Sequence, residues 1–261
     1  MEYFVFNFQK FMLVFSRILG LMFTASFYES DSIPNMARLG LSFFITSVIF
    51  PIVYTHIPEF PTNFIGYTLI AIGEAVIGAT IGICITIAFS VFQLAGQYFT
   101  VQLGFGASEV FDPMSQISIP LMGQYLYIVA ILVFLALRGP LLIIQELYYS
   151  YEFVNFANLL NSKIMDSPNG IVSLFTESFA IALRISFPIL ATLLLVSVSM
   201  GLLAKAAPQM NLLMIGFPIS IIVGFVIILI TLPLFVDFVA SYFDEIFKTI
   251  FFMMREIKNG M

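Results

Sequence analysis

Tryptophan is absent from this chain, cysteine and histidine occur once each, and only 10% of the 261 residues are charged. Each scarcity closes off a class of function. A soluble domain carries about 25% charged residues, so this charge deficit argues against an ordinary soluble fold. The net charge is −5 with Lys and Arg sparse throughout, which leaves no basic patch for nucleic acid. The lone Cys84 excludes an intramolecular disulfide and a multi-cysteine metal site. Set inside an apolar run, it reads as a small buried hydrophobe. The lone His56 lies between Pro51 and Pro58, in an expected interfacial turn. No nucleophile–base pair, metal-ligand spacing or phosphate-cradling loop is visible, so neither catalysis nor a cofactor is expected.

What the chain does have is apolar surface. Hydrophobic residues make up 61% of it, including 31 phenylalanines. A membrane-spanning helix needs roughly 20 mainly apolar residues. Six candidate spans emerge: Phe11–Phe27, Ala37–Tyr54, Phe64–Phe89, Pro120–Leu147, Phe175–Met200 and Leu212–Val236. The runs are far longer than barrel strands, which predicts an all-α membrane protein. The third run continues through Gln93 and Gln97 as a more polar helix, and the sixth continues past Pro233 as an amphipathic helix to Lys258. Residues Tyr148–Leu174 carry Glu152, Lys163, Asp166 and Pro168-Asn169-Gly170 and read as a solvated loop with room for one short surface helix. No linker divides the chain, so a single domain over 1–261 is expected. A cleaved signal peptide is not expected, because Glu2 is acidic and Arg17 interrupts the first run.

The second long connection is Gly104–Pro120, GFGASEVFDPMSQISIP. No formal charge occurs from Ala75 to Ser108, and none between Asp112 and Arg138. A loop so placed sits at membrane depth or dips into it. Irregular backbone cannot face lipid, because unpaired N–H and C=O groups cost several kcal/mol each. The loop is therefore buried in protein or lines a pore.

Four ionisable residues, Arg17, Glu74, Arg184 and Lys205, lie in or beside the spans. Such groups usually face protein or water; for Arg17 and Lys205 the alternative is snorkelling to the interface. If Gly73 breaks its helix, Glu74 opens a new one, where the helix dipole favours a carboxylate. The alternative for Glu74 is an inter-subunit polar contact. Pro188 leaves the carbonyl of Arg184 without its usual donor, so a kink would let the guanidinium reach a partner carbonyl or carboxylate. Gln93 and Gln97 share one helix face, suited either to a neutral pore lining or to hydrogen bonds between helices. Small residues recur at four-residue spacing: Ala71, Ala75 and Ala79; Gly78 and Gly82; Gly216, Ser220 and Gly224. Close helix approach is the expected consequence.

Four stretches coincide with one family: SIPNMARLGLS (Ser32–Ser42), GEAVIGATIGI (Gly73–Ile83), QLAGQYFTVQLGFGASEVFDP (Gln93–Pro113) and GLLAKAAPQMNLLMIGFPISIIVG (Gly201–Gly224). The chain strongly resembles the FliR/SctT family of flagellar and injectisome export-gate proteins over nearly its whole length. The FDP loop and the AKAAPQMN…GFP segment are the most specific parts.

The resemblance implies a subunit of the flagellar type III protein export gate in the bacterial inner membrane, at the basal body. It implies FliP-like and FliQ-like partners, an FlhB-like protein around the entrance, and unfolded secreted proteins as cargo. The family looks like a fusion of its partners, which implies a FliP-like part over 1–174 and a FliQ-like hairpin with an amphipathic tail over 175–261. Residues Gly104, Phe105, Gly106, Val110, Phe111, Asp112, Pro113 and Met114 then belong to a plug in the central pore, with the apolar side chains forming a constriction that gates by dewetting. Lys205, Pro208 and Gln209 form the tip of the hairpin at the cytoplasmic entrance. That orientation places both termini on the periplasmic side, whereas counting positive residues places them in the cytoplasm. The resemblance is given more weight, because the count rests on few charges. The injectisome counterpart and a small-solute secondary transporter are the competing expectations.

Overall fold

Why the long apolar runs become helices follows from their length, since only intrahelical hydrogen bonds can satisfy so much backbone away from water. A computed structural model describes residues 2–27, 34–57, 60, 61, 63–105, 121–155, 170–207, 209 and 212–259. Among these there is no strand. They form α1 (Glu2–Thr24), α2 (Asn35–Val53), α3 (Phe64–Thr100), α4 (Leu121–Ala136), α5 (Gly139–Phe153), α6 (Ile171–Ala206) and α7 (Leu212–Asn259). This is the all-α, membrane-type architecture expected from the sequence. Five helices are long and apolar enough to cross a membrane, or six if α4 and α5 count as one bent span. With 37 residues, α3 is about 55 Å long at 1.5 Å per residue. It therefore outruns a hydrocarbon core of roughly 30 Å, as its extension through Gln93 and Gln97 predicts. Likewise α7 continues through Pro218 and Pro233 to Asn259.

Three expectations need correction. The run Pro120–Leu147 is not one helix but α4 and α5, bent by 72°. Arg138 adopts a left-handed conformation, φ 58°, as the N-cap of α5, and Pro140 follows in the first turn. Proline has no N–H with which to continue the ladder of α4, whereas in a new first turn that donor would be orphaned anyway. Nor does Gly73 break α3, which runs through it without interruption. Finally, the segment read as a loop from Tyr148 is helical as far as Phe153, and helix resumes at Ile171.

The helices divide between two compact units. Unit 1 comprises Met1–Phe89, Arg138–Phe175 and Phe243–Met261. Here α1 buries Leu13, Val14, Ile18 and Leu21. It lies so close to α3 that a Cβ on Gly20, Gly78 or Gly82 would run into the opposite helix: into the carbonyl of Ala75, the carbonyl of Arg17 and the hydroxyl of Thr24, respectively. The contact is also polar, since the Ser16 hydroxyl donates to the Ala71 carbonyl (2.7 Å) and the Thr24 hydroxyl to the Ala79 carbonyl (3.2 Å). Two of the small-residue rows read from the sequence thus meet α1. On its other side α1 takes α2, with Phe11 edge-on to Phe43 and Phe50. The end of α7 packs on α5 through Phe251, edge-on to Tyr149 and Phe153.

Unit 2 comprises Ser90–Leu137 and Thr176–Tyr242. Its core is aromatic, with Phe92 edge-on to Phe235 and Tyr242. Here α3 and α4 cross at Gly96 and Gly123, where a Cβ on either would collide with the other helix's backbone.

The α1–α3 crossing yields a paired test. Gly78→Ala places a methyl against the rigid backbone of Arg17, whereas Gly40→Ala on α2 meets nothing within 4 Å. Both gain the same helix propensity, so their difference isolates packing. Gly78→Ala is expected to lose about 1–3 kcal/mol relative to Gly40→Ala, read from thermal midpoints in detergent.

Candidate functional site

The polar centre of unit 1 is Arg17, which is 1% exposed despite lying midway along an apolar helix. Its Nε donates to Glu74 Oε2 at 2.7 Å, Nη1 to Ser150 Oγ at 3.0 Å and Nη2 to the Val154 carbonyl at 3.1 Å. The guanidinium carbon stands 4.0 Å from the centre of the Tyr151 ring. Tyr151 in turn donates its hydroxyl to the Val14 carbonyl at 3.2 Å. Snorkelling, one of the two readings of Arg17, is therefore overturned: the side chain points into protein. Glu74 is equally buried at 1% exposure and sits inside α3 rather than opening a helix. The sequence reading missed Ser150, Tyr151 and Val154 because it left that stretch as solvated loop. The one available signal was the spacing of Leu147, Ser150, Tyr151 and Val154 at helical intervals.

The base of the Gly104 loop belongs to unit 2. Thr100 ends α3 with its hydroxyl on the Gly96 carbonyl (2.6 Å), and the Gly104 N–H turns back to the Val101 carbonyl (3.0 Å). Gly104 takes φ 95°, a conformation L side chains rarely adopt, and a Cβ there would also meet the Phe217 ring. Leu103 is fully buried, against Gly224 of α7. Phe105 is half-buried. The remaining plug residues, Gly106, Val110, Phe111, Asp112, Pro113 and Met114, lie outside the described residues. Gln93 is half-buried and Gln97 exposed on the same turn-to-turn face of α3. At the proposed tip, Lys205 is exposed in the last turn of α6 and Gln209 is exposed in a turn, while Pro208 lies outside the described residues.

Arg184 is exposed on α6 and lines a small apolar cavity of about 200 Å³ with Pro188, Leu126 and Phe235. Among the described residues Arg184 makes no ion pair. No group of three His, Cys, Asp or Glu side chains able to hold a metal exists among those residues. The larger feature is bare apolar surface. Leu195, Val198 and Leu202 of α6 and Leu229, Ile230 and Leu234 of α7 are each at least 60% exposed.

The family described as Bacterial export proteins, family 1, matches residues 8–246. A Bacillus subtilis (strain 168) protein named flagellar biosynthetic protein FliR is 29% identical over 248 residues, covering 93% of each chain. The Escherichia coli (strain K12) protein of the same name is 29% identical over 243 residues, covering 92% of this chain and 91% of that one. The Borreliella burgdorferi protein of that name is 34% identical over 179 residues, covering 66% of this chain and 64% of its own.

The buried pair gives a double-mutant test. Glu74→Gln leaves the guanidinium uncompensated inside protein and is expected to cost about 3–5 kcal/mol. Arg17→Met strands the carboxylate at a similar cost, whereas the double change Arg17→Met with Glu74→Gln removes both charges. The double variant is expected to be more stable than either single one, measured by thermal unfolding in detergent.

Proposed function

Because the chain belongs to the bacterial export proteins of family 1, the FliR/SctT family, we propose that it is a subunit of the flagellar type III protein export gate in the bacterial inner membrane. It acts with FliP-like and FliQ-like subunits to form the channel through which unfolded flagellar proteins cross, with an FlhB-like protein at the entrance. It does no chemistry of its own. The observation that carries this reading is likeness along more than nine-tenths of the chain to proteins named flagellar biosynthetic protein FliR. The name these relatives carry also favours the flagellar system over the injectisome.

Two features of the chain support the reading. The apolar faces of α6 and α7 are largely uncovered by their own chain, which suits a subunit that is completed by neighbours. The loop after Gly104 leaves α3 from a turn that only glycine fits well, and the adjoining Leu103 is buried against Gly224 of α7. A fixed base suits a loop whose far part acts as a movable plug. An idle channel wide enough for a polypeptide would leak ions, and an apolar constriction stops that leak by excluding water. Val110, Phe111 and Met114 are the side chains assigned to it, with Lys205, Pro208 and Gln209 at the entrance.

Deleting Ala107–Gln116 tests the proposal in cells expressing all the gate proteins. The shortened chain should still copurify with its FliP- and FliQ-like partners, while ion conductance and sensitivity to salt stress rise. Replacing Phe111 and Met114 with Ser should raise conductance less, because the loop keeps its length and only its wetting changes. Unchanged conductance in a correctly assembled deletion complex would leave the loop as a mere connector. A chain that never associates with such partners would remove the gate assignment itself.

A further inference from the structure

One buried carboxylate of unit 1 has no use in the arrangement described so far. Glu146 of α5 is 7% exposed, and its Oε2 meets no hydrogen-bond donor among the described residues. It lines a groove of about 460 Å³ together with Gln145 and Tyr149 of α5 and Asp244, Lys248 and Phe252 of α7. Gln145 Nε2 points to the Tyr149 hydroxyl at 3.4 Å, and Lys248, although on the groove wall, makes no ion pair with Glu146.

A carboxylate held away from water without a donor or counter-charge is costly, and the cost disappears only when a partner arrives. Two carboxylates face one ammonium in this groove, so its charge favours a cation. Its walls include the rings of Tyr149, Phe247, Phe251 and Phe252, which suit the aliphatic stem and charged head of a long basic side chain better than a hydrated ion. We infer that the groove seats a lysine or arginine carried by a helix of a neighbouring subunit, with Glu146 as its buried counter-charge. The inference rests on the multi-subunit reading above, and it makes unit 1, beside the loop and the tip, a contact point in the assembly.

The test uses the full chain coexpressed with the other gate proteins, carrying a benzophenone amino acid at Phe252, which is 50% exposed on the groove rim. Irradiation is expected to join it to a different subunit, within one helical turn of a Lys or Arg. Glu146→Gln keeps size and hydrogen-bonding capacity but removes the charge, and it should lower that crosslink about tenfold. Glu245→Gln, the same change at an exposed carboxylate of α7 outside the groove lining, should leave the crosslink in place. An undiminished crosslink in Glu146→Gln, capture of lipid or of this chain's own residues, or equal loss in Glu245→Gln would each overturn the inference. Should the chain recover no neighbouring subunit at all, the gate assignment falls with it; recovery of neighbours with no dependence on Glu146 removes only the groove.

Discussion

The ion pair between Arg17 and Glu74 fixes the geometry of unit 1, because neither group tolerates burial without the other. A bond of 2.7 Å between α1 and α3 requires the two backbones to come close, and Gly20, Gly78 and Gly82 are the residues that permit it. The guanidinium has further donors, and they are satisfied by Ser150 and the Val154 carbonyl. The end of α5 is thereby tied to the same centre. Since α5 begins at the sharp bend after Arg138, its anchored end and its start together set where Glu146 lies against α7. One charge inside an apolar bundle thus dictates a chain of placements that hydrophobic burial, which has no direction, would leave open.

The helices differ in how much of their surface the chain itself covers. The most apolar window of α3 is 61% buried, whereas those of α6 and α7 are 22% and 17% buried, although α7's is the most apolar of the three. Similar or greater hydropathy with less self-burial means that α6 and α7 meet either lipid or other proteins. Association of helices within lipid gains little from hydrophobicity, so it relies on close packing and polar contacts. The chain offers both: Gly201 on α6 has open space where a side chain would be, and Glu146 lacks a donor. These features suit the proposed subunit, whose remaining contacts would lie on its neighbours.

Much of this was legible in the sequence, and the failures have physical causes. Helix type and extent came from apolar run length, which backbone hydrogen bonding makes decisive in a membrane. The small-residue rows at Ala71, Ala75, Ala79 and at Gly78, Gly82 marked a close crossing, although spacing alone does not say which helix arrives, and it was α1. Arg17 and Glu74 were both singled out, yet not paired, because 57 residues separate them and periodicity carries no information on long-range partners. The bend at Arg138 was missed because the apolar pattern continues across it; the Arg-Gly-Pro step is a local backbone signal that hydropathy averages away. Ser150 stayed hidden because it fell in the stretch read as solvated, whereas Glu146 fell inside the run Pro120–Leu147 and differs from an acid at a span's edge only in where it points.

On the proposed reading, the bare apolar faces of α6 and α7 are covered by partner subunits rather than by lipid. Leu195, 69% exposed on α6, reports on this directly. A fluorescent label on Leu195→Cys can be read without interference, because the native Cys84 is buried at 1% exposure. Quenching of that label by lipids carrying a spin-labelled acyl chain would be compared for the chain reconstituted alone and for the chain coassembled with the proposed FliP- and FliQ-like partners. Strong quenching alone and marked protection in the assembly are predicted. Equal quenching in the two states would show that this face meets lipid in both, and would contradict the account.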